Sequence, residues 1–283
     1  MGFQKASVGV AIMYCVYSNR NFEDELLTKD HIIPLSLGGC DEFYVMAEKS
    51  INNKIGTEIE SKISNDNIIK IYRERHDAIG HSKRKIHSEF YTIDKTNSKL
   101  IFKYSDGDFA MLDPKTKKEV EWPGCFPISI KIDLTAHIKF LAKVVLGTGY
   151  FLFKNDFLSN ECSNELRDIL VNDITTNNKE YKHVDFCENF EKVYFAKEYG
   201  TFCKLVNNSV VTIVATDCML IFLIGVCGME IGNCILKYDT SKIDKLFKKS
   251  LGVSIICDNK NNELFINDTE EMLRDNLKVI KGD

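Results

Sequence analysis

The chain has one tryptophan and four prolines in 283 residues, and its ten cysteines never form a C-x-x-C pair. Without that spacing, no structural zinc is expected. An excess of positive charge is also missing: 37 Lys and Arg face 41 Asp and Glu, a formal net charge of −4. The molecule as a whole therefore has no electrostatic pull on nucleic acid, and any such binding must come from a local patch. Long apolar runs are lacking too. The longest, residues 219–229, is too short for a membrane span and lies between Asp217 and Glu230. Residues 1–11 lack a charged start followed by a long apolar stretch, and Ala6 stands where a myristoylation motif wants Ser or Thr. The expectation is a cytoplasmic protein with no membrane partner, whose reduced thiols, Cys227 and Cys234 among them, pack as small hydrophobes.

What is present is an ordinary globular balance, 44% hydrophobic and 28% charged, and one stretch rich in chemistry. Residues 29–56 read KDHIIPLSLGGCDEFYVMAEKSINNKIG. A short β-branched run carries Asp30-His31 and stops at Pro34. Gly38-Gly39 turns the chain, a second apolar run follows, and Asn52 sits at the start of a helix whose Ile51, Ile55, Ile59 and Ile63 recur every four residues. The order is strand, loop, strand, helix. Adjacent residues on a strand point to opposite sides, so Asp30 can grip a metal while His31 works beside it. Asp30 and the Asn52 amide oxygen would make a sparse oxygen site of the kind hard divalent ions accept. The His31 imidazole is the side chain here that can take a proton from an attacking water.

DHIIPLSLGG followed by INNKIG resembles the HNH (His-Me finger) endonucleases, in the branch written as acid-H-I-I-P, a Gly-Gly loop, then N-x-K-x-G. The resemblance covers residues 15–56 and extends weakly to about Lys85. It implies a ββα-metal module, DNA as substrate, and hydrolysis of a phosphodiester with His31 as the general base. Asp30 and Asn52 would hold one divalent ion, Mg²⁺ by default, with Mn²⁺ or Ni²⁺ as alternatives. Two features depart from the family pattern. The zinc knuckle of many relatives survives only as Cys15, with Ser18, Glu48 and Ile51 at its other positions. The middle Asn that follows the Gly-Gly loop has no clear equivalent, since Phe43 or Tyr44 lies there. A rival reading is therefore a nucleic-acid-binding or regulatory protein with a decayed HNH site.

Beyond the motif, a second helix is expected from Ser64 or Asp66 to His76, and residues 70–87 form the most basic window. Lys54, Arg73, Lys83, Arg84 and Lys85 are the candidate phosphate contacts. Residues 88–127 read as a β-meander and connector after the 1–87 nuclease module. Residues 128–283 read as a larger mixed α+β domain with a mainly antiparallel sheet. In it, Asp133 caps a helix with Leu134, Ile138, Leu141 and Val145 facing inward, and Gly147 is expected to stop it. Strands are expected at CKLVNN, SVVTIVAT, CMLIFLIGV and NCILKY. A GVSIIC/LFIN hairpin and a closing helix complete the chain. The 128–283 part carries no chemical motif. Its role is open at this point: choosing the substrate, gating the enzyme, forming a homodimer and binding a protein partner are the alternatives.

Overall fold

A computed structural model describes residues 12–80, 88–92, 99–105, 108–121, 128–129, 132–172, 181–186, 196–242 and 252–272. The fold is α+β, and every strand pairing is antiparallel.

The chain opens with a hairpin of β1 (Ile12–Cys15) and β2 (Arg20–Glu23). The turn between them falls at residues 16–19, with Asn19 in the left-handed region at φ 57°. The next hairpin joins β3 (Leu27–His31) and β4 (Tyr44–Glu48), with Asp30 opposite Val45 and His31 opposite Tyr44. Between them, Gly38 adopts φ 77, and a Cβ on Gly39 would lie 1.8 Å from the Ile33 carbonyl oxygen. Neither place accepts a side chain, which is why the loop is written Gly-Gly.

From β4 the chain passes directly into α1 (Lys49–Ile55), a π-helical turn (Gly56–Glu60) and α2 (Ser61–Ser64). Ile55, Ile59 and Ile63 are buried along one side, as the four-residue spacing requires. Gly56 on this helix faces open space: a Cβ there would meet nothing within 4 Å. Helix α3 (Asn67–Arg75) follows, capped by Asp66, whose carboxylate accepts from the amides of Ile68 and Ile69. A four-stranded sheet comes next, ordered β7-β6-β5-β8 and made of β5 (Ser88–Thr92), β6 (Lys99–Ser105), β7 (Asp108–Leu112) and β8 (Ile128–Ser129).

Helix α4 (Leu134–Phe153) starts where expected, with Asp133 accepting from the Ala136 amide at 3.0 Å. It does not stop at Gly147. A Cβ there would come within 2.9 Å of Ile32, and one on Gly149 within 2.4 Å of the Phe157 ring. These glycines let neighbours approach a continuous helix. Residues 140–149 are buried, whereas Leu134, expected to face inward, lies at the solvent end and is 57% exposed. The length and apolarity of α4 would suit a membrane span, yet 67% of its most apolar window is buried against the rest of the chain.

After α5 (Asn155–Leu158) and α6 (Glu161–Val171) comes the principal sheet, ordered β14-β13-β10-β11-β12-β9. Its strands are β9 (Val184–Asp185), β10 (Ser209–Thr216), β11 (Met219–Val226), β12 (Met229–Lys237), β13 (Gly252–Asp258) and β14 (Glu263–Asp268). CKLV, expected as a strand, belongs instead to α7 (Ala196–Val206). Tyr199, Phe202, Cys203 and Val206 recur at helical intervals and pack on Val210, Leu223 and Ile256. One side of the sheet faces α7 and the other faces α4. The near-continuous burial of β11 follows. Of the closing helix, only residues 269–272 are described, and they are helical. Buried residues of the β3–β4 hairpin, α1, α4, α6 and the principal sheet form one contiguous apolar cluster.

Candidate functional site

A cleft of about 420 Å³ opens between the end of β3 and the helix that begins at α1. Asp30, His31 and Asn52 all line it, together with Lys29, Asn53, Gly56, Thr57 and Glu60. Residues 52, 56 and 60 share one helical side, and the bare Gly56 keeps the cleft open between Asn52 and Glu60. The three residues singled out by the motif thus meet in one hollow.

Their partners differ. His31, with a side chain 15% exposed, has Nε2 3.0 Å from Oδ1 of Asp41. Asp41 occupies the loop just after Gly38-Gly39, close to where the family's orienting Asn was sought. It is held in turn by Asn262 in the turn between β13 and β14. The Asn262 side-chain oxygen accepts from the Asp41 amide at 2.8 Å, and its Nδ2 donates to Asp41 Oδ2 at 3.1 Å. The principal sheet also grips this loop through Ser209, whose hydroxyl donates to the Leu37 carbonyl at 2.6 Å. Asn52 donates from Nδ2 to the Lys29 carbonyl at 3.3 Å, which ties α1 to β3.

Asp30 turns inward and is 4% exposed. Its Oδ2 accepts from the Tyr17 hydroxyl, and its Oδ1 lies 3.2 Å from Nζ of Lys143 in α4. That ammonium is completely buried. It donates to the His31 carbonyl at 2.5 Å and to Glu60 Oε1 at 2.5 Å, with the Ile32 carbonyl at 3.4 Å. Burial opposes the charge on Lys143, but the carboxylates of Asp30 and Glu60 outweigh it and its pKa is raised. Glu60 shares this single ammonium with Asp30, and burial pushes its pKa up. The Tyr17 hydroxyl is pushed well up by burial and by the Asp30 carboxylate.

As arranged, these residues do not fit the divalent ion expected at Asp30 and Asn52. Both Asp30 oxygens already have partners, and one partner is a cation. A doubly charged ion some 4 Å from an ammonium is repelled by roughly 8 kcal/mol at an effective dielectric of about 20. Among the described residues, no three His, Cys, Asp or Glu side chains gather as a metal-binding group.

The candidate phosphate contacts separate. Lys54 is exposed, with Nζ 4.0 Å from Glu58. Arg73 is 4% exposed, its guanidinium donating to the carbonyls of Ser36 and Ser64, the latter at 2.5 Å. It braces the loop from behind, turned away from solvent. Lys83, Arg84 and Lys85 lie outside the described residues. Cys15, the remnant of the knuckle, is buried, and its sulfur accepts from the Glu48 amide at 3.4 Å. Beside it, Arg167 of α6 donates to the Val16 carbonyl at 2.7 Å and to the Tyr14 hydroxyl at 3.0 Å.

Sequence reasoning missed Lys143, Glu60, Tyr17, Asp41 and Asn262. Only Lys143 left a trace, as a lone cation in the apolar run FLAKVVLG. No family model, curated protein or solved structure matches the chain.

Proposed function

We propose that the protein is a phosphodiester hydrolase of the HNH (His-Me finger) type acting on DNA, with His31 as the general base. The observation that carries this reading is the pairing of His31 with Asp41 at 3.0 Å inside a cleft that Asn52 also lines. The Asp41 carboxylate beside Nε2 orients the imidazole, and His31 takes a proton from the attacking water. The Asp41 carboxylate then stabilises the imidazolium. Lys29, exposed on the rim with its ammonium 4.1 Å from the Tyr44 ring centroid, supplies positive charge for phosphoryl oxygens. The Asn53 amide adds a polar group at the same rim. Asp30 fixes the strand that carries the base.

The test is nicking of supercoiled plasmid by the purified full chain, with and without added divalent ions. His31→Ala is expected to lower the rate by about 10²–10⁴-fold, the usual worth of a positioned base. Equal cleavage by His31→Ala and wild type sinks the assignment. A second reading draws on the ammonium at Asp30: a protein that binds DNA through this cleft without cutting it. Retention of plasmid with no nicks under any ion selects that reading.

A further inference from the structure

The oxygens around Nζ of Lys143 form the donor set of a hard-cation site. Two are carboxylate oxygens, from Asp30 and Glu60, and two are main-chain carbonyls, from His31 and Ile32, all within 3.4 Å. Such oxygens would ordinarily gather around a divalent ion. Here they surround an ammonium delivered by the middle of a buried helix, with no exposed surface on its side chain.

We infer that Lys143 is a tethered, non-exchangeable cation that does the positioning work of a divalent ion at Asp30. It neutralises Asp30, draws Glu60 toward β3, and holds the His31 carbonyl, thereby setting the strand from which the His31 ring projects. Lys143 touches no substrate, and its role is positioning. The wild-type cleft consequently takes up no divalent ion at Asp30. Deleting the ammonium while keeping both carboxylates creates a site for a hard, oxygen-liganded divalent ion. This inference rests on the buried geometry alone and holds whether or not the cleft cuts DNA.

The experiment measures Mn²⁺ binding by electron paramagnetic resonance and the melting temperature of the full chain, for wild type, Asp30→Asn and Lys143→Ala. Wild type and Asp30→Asn are expected to bind Mn²⁺ identically, and wild type to melt at the same temperature in chelator and in millimolar Mn²⁺ or Mg²⁺. Lys143→Ala is expected to melt lower, to gain one Mn²⁺ site, and to recover several degrees when the ion is added. A purely structural lysine would show no such rescue. The inference is overturned by a wild-type Mn²⁺ site that Asp30→Asn removes, or by a folded Lys143→Ala whose melting ignores the ion. If Lys143→Ala does not fold in either condition, the wild-type and Asp30→Asn comparison still decides.

Discussion

Asn262 lies 221 residues along the chain from Asp41, yet it makes both of the hydrogen bonds that hold that carboxylate's residue in place. Removing it should damage the site and the fold by separable amounts. Each hydrogen bond is worth about 0.5–1.5 kcal/mol net, and both are exposed, so their joint loss should cost about 1–2 kcal/mol of stability. Asn262 also sits at φ 57. Glycine tolerates that conformation, whereas alanine adds about 1–2 kcal/mol of backbone strain. Asn262→Gly therefore isolates the hydrogen bonds, and Asn262→Ala adds strain to the same loss. Unfolding in urea should rank wild type, Gly and Ala in falling stability. The rate should behave differently, because both variants free Asp41 equally. Both are expected to lose about tenfold in kcat with little change in KM, about 1.4 kcal/mol of transition-state stabilisation. Single-turnover plasmid nicking reads this directly. A rate that tracks stability, with Ala slower than Gly, or a Gly variant as fast as wild type, refutes the proposed coupling through Asp41.

Three other perturbations test the fold that carries the site. Arg167→Ala strips donors from the Val16 carbonyl and the Tyr14 hydroxyl and should cost about 2–4 kcal/mol in denaturant titration. Gly147→Ala pushes a methyl within 2.9 Å of Ile32, and calorimetry should register a loss of about 1–3 kcal/mol. The third concerns pH. Burial lowers the pKa of His76 to about 4, so the unfolded chain takes up a proton there first, and this contribution to stability is lost as pH falls from about 6.5 toward 4. Burial raises the pKa of Glu230 to about 7, so its contribution is present below about 4.5 and is lost as pH rises toward 7. The two oppose each other between about pH 4.5 and 6.5. In Glu230→Gln, stability should climb more steeply with pH through that window than in wild type. Parallel pH–stability curves for the two proteins would contradict the assignment.

The hairpin and helix around the cleft were legible because their signals are local. Pro34 ends one run, Gly38 and Gly39 occupy places closed to side chains, and a stripe of isoleucines marks the buried helix side. Asp133 was read as a cap and is one. Misreadings arose where a local signal had a distant cause. Gly147 looks like a helix stop, but it is glycine because Ile32 packs against it from another element. CKLV has strand-like composition, yet Tyr199, Phe202, Cys203 and Val206 lie on one helical side. The partners of the motif were hidden for the same reason. The apolar run around Lys143 marks it as a lone cation but does not show what it serves, because its partners are two carboxylates that precede it by more than eighty residues. The divalent ion expected at Asp30 was argued from residues 29–56, whereas the ammonium 3.2 Å from Asp30 comes from Lys143, far outside that stretch.

The shared core also bears on how the protein is made. The strand carrying Asp30 and His31 leaves the ribosome early, but its ammonium arrives only with residue 143, the clamp on the first hairpin with residue 167, and the brace on Asp41 with residue 262. Because synthesis runs from the N-terminus, the contacts around His31 cannot all form until residue 262 has emerged. A chain broken off after the motif contains every residue of the signature and yet lacks the groups that hold it in place. Synthesis through residue 262 thus becomes a condition for the full set of contacts around the cleft.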